Sequence, residues 1–184
     1  AGRHNVENAM AASLVARALG IGPATIATAI EGFEGLPHRM ERVAEHAGVV
    51  WYDDSKGTNV GATIRSLEDL PAGRVHLILG GRSKGTDLAA LRPFVEGKVK
   101  CLYLIGEAGE ALAEALASAA PQRQSRTLER AVAEAAGAVE PGDVVLLSPA
   151  CASFDQFRDF AHRGEVFRAL VHDALEERQG GRVG

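Results

Sequence analysis

The spacing of apolar residues changes character partway along the chain. Residues 5–19 read as a helix that Gly20 and Gly22 stop. Pro23 opens a second helix through residue 30, and Gly32 and Gly35 end it. Leu36-Pro37-His38 marks a boundary, because strand patterns replace the two helices there. Residues 40–46 alternate, and Gly48 turns them into the apolar run 49–52, which predicts a β-hairpin. Strands and helices then take turns. Strands are predicted at 75–79, 99–105, 124–127 and 144–147. Helices are predicted at 60–70, 88–95, 108–119, 128–139 and 155–175. The Gly/Arg-rich end, 179–184, reads as a frayed tail.

Unbroken apolar strands between helices imply an α/β fold with a mostly parallel sheet covered on both faces. Ligands in such sheets bind beyond the carboxyl ends of the strands. The loops after the strands ending at Tyr52, Leu79 and Leu147 would share that edge, and all three are polar.

Composition narrows the function classes. A net charge of −4 argues against nucleic acid or an anionic membrane as the main partner. No apolar stretch approaches the roughly 20 residues of a membrane span. Cys101 and Cys151 fit no zinc or CxxC spacing, which favours reduced thiols in a cytosolic protein. No signal peptide is visible, and a start without Met is expected of a piece of a longer chain.

Each polar loop supports two readings. Asp54-Ser55-Lys56-Gly57-Thr58-Asn59 can be a turn with Asn59 as N-cap, although a turn gains nothing from Lys56. It can equally bind an anion and orient a hydroxyl. Gly80–Thr86 offers two glycines and Lys84 to an anion, or is a solvated loop. It matches neither GxxxxGK[ST] nor GxGxxG. In residues 148–157, Ser153 with Gln156 fits a capping box, and the same helix end with a Ser hydroxyl suits a carboxylate. Cys151 has no His partner nearby and reads as a small apolar filler. Upstream, His38-Arg39 is either a solvated linker or a basic site, and Asn5 and Asn8 share one helix face.

The segments GRHNVENAMAA, GLPHRMERV, WYDDSKGTNVGAT, LILGGRSKGTDL and LLSPACASFDQFRDFAHRGEVF resemble the Mur ligase family, in the family's order and over nearly the whole chain. DSKGTNV and SPACASFDQF are similar to the branch that adds D-glutamate. The resemblance implies a three-domain enzyme: a UDP-sugar domain, a central P-loop ATPase and a Rossmann-like domain that brings the amino acid. Residues 1–35 would be the last helices of the central domain, 36–176 the three-layer Rossmann-like ligase domain, and 177–184 a flexible tail. The implied reaction is ATP-dependent addition of D-glutamate to UDP-N-acetylmuramoyl-L-alanine through an acyl phosphate. The implied setting is a monomer in the bacterial cytoplasm, serving peptidoglycan synthesis. Mg²⁺ would be bound mainly by the absent central domain, with no metal ligand here.

Residue by residue, the resemblance places Asn5, Asn8, Arg39, Asp54 and Lys56 on the nucleotide. Arg39, Asp54 and Lys56 are catalytic in that scheme. Thr58, Lys84, Ser153 and the backbone N–H near Phe160 would hold the carboxylates of D-glutamate. The chain alone, lacking a Walker A loop, is expected to be inactive. A free-standing Rossmann-like binding module is the alternative, and a dinucleotide oxidoreductase is disfavoured by the missing GxGxxG.

Overall fold

A computed structural model describes residues 3–180, with side chains from residue 6 to residue 178. The chain divides into two units, Ala1–Leu36 and Pro37–Gly184. In the first, α1 (Arg3–Ala18) and α2 (Pro23–Glu31) are joined by a short turn, and Pro23 starts α2 where its missing N–H costs nothing.

The second unit holds one six-stranded sheet. β1 (Glu41–His46) and β2 (Val49–Asp53) form the expected antiparallel hairpin through Ala47 and Gly48, both at positive φ (50° and 76°), as a two-residue hairpin turn demands. The remaining elements are α3 (Val60–Glu68), β3 (Val75–Gly80), a 3₁₀ turn (Leu88–Leu91), α4 (Arg92–Val95), β4 (Val99–Ile105), α5 (Gly109–Ala115), β5 (Gln122–Arg126), α6 (Leu128–Ala138), β6 (Val144–Leu147) and α7 (Phe160–Gly180). The order across the sheet is β1-β2-β6-β3-β4-β5, with every pair after the hairpin parallel.

Alternate strand residues serve opposite layers. Leu77, Leu79, Leu102, Leu104 and Leu146 pack with Leu67, Leu91 and Leu112 on the α3–α5 face. Trp51, Ile78, Tyr103, Ile105, Val145 and Leu147 pack with Ala131, Ala135, Phe167 and Val171 on the α6–α7 face. Each large side chain buried this way contributes about 1.5–3 kcal/mol. The three-layer Rossmann-like architecture follows.

Three local expectations change. The helix expected at 88–95 is split, because Pro93 restarts the backbone as α4 after a 3₁₀ turn. The last helix starts at Phe160, not at residue 155. The Ser153 carbonyl accepts from the Gln156 and Phe157 N–H groups in a turn, while Asp155 and Gln156 bond to Glu107 N–H and the Arg126 carbonyl of other loops. Asp159 is the cap, accepting from His162 N–H at 2.7 Å. At the far end α7 runs through Gly180, so 177–180 is helix where a tail was expected. Residues 181–184 lie outside the described residues.

Candidate functional site

The chain steps from β2 over β6 to β3 and onward along one side of the sheet, and returns from β5 to β6 on the other. The loops after β3 and β6 therefore leave in opposite directions from neighbouring strands, which opens a crevice at their carboxyl ends. The loop after β2 borders it, since β2 pairs with β6. All three predicted loops thus meet at the switch point of the sheet.

The β2 loop is closely hydrogen-bonded. Asn59 is the N-cap of α3, accepting from Ala62 N–H at 2.9 Å. Asp54 is buried and points inward: its Oδ2 accepts from Ser66 Oγ at 2.6 Å and Ser148 Oγ at 2.7 Å. Its Oδ1 accepts from Met40 N–H at 3.3 Å. Burial raises the Asp54 pKa above its usual value, against the lowering effect of those hydrogen bonds. Gly57 has no room for a side chain, because a Cβ there would sit 2.6 Å from Asp54 Oδ2 and 2.8 Å from Ser148 Oγ. With its neighbours so fixed, Lys56 is left exposed and Thr58 half-buried.

Arg39 is brought alongside. It is exposed on a tight turn between His38 (φ 60°) and Met40 (φ 48°). That turn is tied to the β2 loop by Lys56 N–H on the His38 carbonyl at 3.0 Å, and by the Met40–Asp54 bond. His38 Nδ1 lies 2.7 Å from Asp53 Oδ2, and its ring meets the Phe160 ring edge-on at 6.2 Å. The Lys56 Nζ sits 3.8 Å from the centre of the same Phe160 ring, a cation–π contact. Phe160, the first residue of α7, also accepts from Ser55 Oγ through its carbonyl.

Across the crevice, Gly81 (φ 129°) packs so tightly on the β6 loop that a Cβ would lie 2.2 Å from the Ala152 carbonyl. Arg82 and Ala152 exchange backbone hydrogen bonds at 2.8 and 3.0 Å, joining the Lys84 loop to the Ser153 loop. Lys84 is exposed and Ser153 buried. Burial pushes the Cys151 thiol up to about 11, so it is an inert filler at neutral pH, as its sequence context indicated. Asn8 is exposed on α1, and the Asn5 side chain lies outside the described residues.

His38, Glu41 and Asp53 place three potential metal-ligand atoms together. Their atoms are already engaged: His38 with Asp53, and Glu41 with His38 N–H and Arg168. A Mg²⁺ ion demands near-octahedral oxygen ligands, and this set does not fit one.

Sequence reasoning missed Arg163. It is wholly buried at the start of α7 and donates to Ser55 Oγ (2.9 Å), the Ser55 carbonyl (2.8 Å) and the Cys151 carbonyl (3.2 Å). The signal was available: Arg163, Phe167, Val171 and Leu175 recur every four residues, an apolar stripe that begins with a cation.

Known proteins share this architecture and sequence. Residues 38–151 match the family model described as Mur ligase, glutamate ligase domain. The chain is 49% identical over 170 residues to UDP-N-acetylmuramoylalanine--D-glutamate ligase of Acidobacterium capsulatum, covering 92% of this chain and 37% of that protein. It is 51% identical over 172 residues to the protein of the same name from Anaeromyxobacter dehalogenans, with the same coverage of 92% and 37%. Among solved structures, UDP-N-acetylmuramate-alanine ligase from Thermotoga maritima aligns with a TM-score of 0.67 and 17% identity, over 95% of this chain and 39% of that one. MurF from Acinetobacter baumannii gives 0.67 and 19%, over 96% and 38%. Those two likenesses speak for the fold alone. The chain belongs to the Mur ligase family, and its second unit carries the family's glutamate ligase domain. It spans about two fifths of the length of the curated relatives it matches.

Proposed function

We propose that the full-length protein is an ATP-dependent ligase that joins D-glutamate to UDP-N-acetylmuramoyl-L-alanine, and that this chain supplies the amino-acid wall of its active site. What supports the reading is that the three loops carrying Lys56, Thr58, Lys84 and Ser153 meet at one switch point, with both lysines exposed and free of carboxylate partners among the described residues. An amino acid with two carboxylates needs such an edge: cations, hydroxyls and a helix start.

In this reading Lys84, Thr58, Ser153 and the N–H of Phe160 hold D-glutamate. Lys56, parked on the Phe160 ring, and Arg39 face the phosphates. Asp54 first holds the loop; only Oδ1, bound at 3.3 Å by Met40 N–H, has capacity left for a ribose hydroxyl. Asn5 and Asn8 are proposed to contact the base. The muramoyl-alanine carboxylate is phosphorylated with ATP as donor. The amine of D-glutamate then attacks the acyl carbon, the amide C–N bond forms, and phosphate leaves with the C–O bond as the amine loses a proton. This chain contributes orientation and charge neutralisation to those steps. Mg²⁺ is assigned to the rest of the protein, since the cluster at His38 does not suit it. The protein is proposed to act as a monomer in the bacterial cytoplasm. Among the described residues no helix is long and apolar enough to cross a membrane.

The test is phosphate release by the full-length protein, with ATP and UDP-N-acetylmuramoyl-L-alanine present. Release should depend on D-glutamate and respond little to L-glutamate or other amino acids. Equal release with every amino acid, or with none, contradicts the proposal. The chain alone should hydrolyse no ATP, because it carries no GxxxxGK[ST] loop.

A further inference from the structure

Arg163 has an unusual setting for a buried cation. Its surroundings are carbonyls and a hydroxyl, and among the described residues no carboxylate lies within ion-pair distance. Asp155, Asp53 and Asp54 act on it only from further away, and burial lowers its pKa to about 10, so it stays charged at neutral pH. Removing a guanidinium from water without a salt bridge is costly, and a purely apolar residue would fill the same stripe of α7 more cheaply.

What the guanidinium touches explains its presence. Nε and Nη2 fork onto the hydroxyl and carbonyl of Ser55 in the β2 loop. Nη1 donates to the Cys151 carbonyl in the β6 loop. The same Nη1 lies 3.3 Å from where a Cβ of residue 81 would stand, directly under the β3 loop. One planar group therefore ties the β2 loop, which carries Thr58, to the β6 loop, which carries Ser153, and packs beneath the β3 loop of Lys84, itself joined to the β6 loop by the Arg82–Ala152 backbone pair. A second tie, from Ala150 N–H to the Gly57 carbonyl at 2.9 Å, runs parallel to it.

We propose that Arg163 is a positioning residue for the amino-acid site: its hydrogen bonds set the spacing of the β2 and β6 loops, and through the Arg82–Ala152 pair that of the β3 loop, so that Thr58, Lys84 and Ser153 converge on a single dicarboxylic amino acid. This rests on the reading that those residues bind D-glutamate. A lysine keeps the charge but cannot reproduce three directed hydrogen bonds in one plane. Misplacing groups around a bound reactant by about 1 Å weakens every contact that depends on their convergence.

The experiment uses the full-length protein with Arg163→Lys, and Ser55→Ala as a milder variant that removes one acceptor. Arg163→Lys should raise KM for D-glutamate roughly tenfold, with kcat reduced less than about threefold and KM for UDP-N-acetylmuramoyl-L-alanine unchanged. Ser55→Ala should raise KM for D-glutamate about threefold. Amide hydrogen exchange should speed up at residues 54–58 and 148–153 while β4 stays protected. A residue that only stabilises the fold would lower apparent kcat for all substrates and leave every KM in place. Unchanged KM for D-glutamate in both variants, or unchanged loop exchange, overturns the proposal. A wild-type protein that ignores D-glutamate overturns the substrate reading and this role with it. That outcome is told apart from failure of the brace because loop exchange would still respond to the substitutions.

Discussion

At the amino edge of the sheet Asp143 draws Lys100 to 2.8 Å, His76 to 3.2 Å and Arg74 to 3.4 Å, and Lys100 also reaches Glu140 at 2.8 Å. At the carboxyl edge Arg39, Lys56 and Lys84 stand exposed with no carboxylate partner among the described residues, and Arg163 is buried among carbonyls. The residue types are alike and the sheet is the same. At the amino edge the fold neutralises its cations; at the carboxyl edge it pairs Arg82 with Glu107 at 3.0 Å but leaves Arg39, Lys56 and Lys84 for something that arrives. The carboxylates differ in the same sense. Burial pushes Asp143 upward, but hydrogen bonds from Lys100, Glu140 N–H and His76 outweigh it and hold its pKa below the ordinary range. Burial prevails at Asp54 and its pKa is raised.

The sharpest break of this comparison is Asp143→Ala. It leaves the buried His76 without its partner and the half-buried Lys100 without its closest counter-charge, and should cost about 3 kcal/mol of unfolding free energy. KM for D-glutamate in the folded fraction should not move. Denaturant titration and steady-state kinetics on one preparation check both halves. Gly57→Ala strikes the other edge. Its Cβ collides with Asp54 and Ser148, which should cost roughly 1–3 kcal/mol and, unlike Asp143→Ala, also raise KM for D-glutamate by displacing Thr58.

The smallest effect is on pH dependence. Burial lowers the His76 pKa below 6.5, against the raising influence of Asp143. The unfolded chain therefore takes up this proton first, so stability is full above pH 6.5 and is lost as pH falls through the lowered folded value. Asp143, also depressed, adds a second loss as pH falls below 3.8. Asp54 has the opposite sign: its contribution is present below 3.8 and is lost as pH rises through its raised value. Denaturation measured between about pH 7.5 and 5.5 should show a slope that flattens in His76→Gln. At pH 7, Asp54→Asn should destabilise less than Asp143→Asn.

The loops were legible because the strands before them are unbroken apolar runs, so the first polar residue after Tyr52, Leu79 or Leu147 announces the sheet edge. Residue types alone left each loop open between turn and ligand site. The resemblance to Mur ligases named the roles. Hidden features depend on long-range packing. Asp54 faces inward because Ser66 and Ser148, 12 and 94 residues away, donate to it. The last helix starts late because Asp155 and Gln156 prefer partners in the β4 and β5 loops. Arg163 was visible as a charge on an apolar stripe, but its meaning came from three loops that meet only in the fold.

The account turns on Lys84, the unpaired cation of the β3 loop, being a carboxylate ligand, and Lys84→Ala in the full-length protein tests this directly. KM for D-glutamate should rise at least about tenfold, the scale of one charge-assisted hydrogen bond, while KM for ATP stays within about twofold. An unchanged KM for D-glutamate, with normal turnover, would contradict the account.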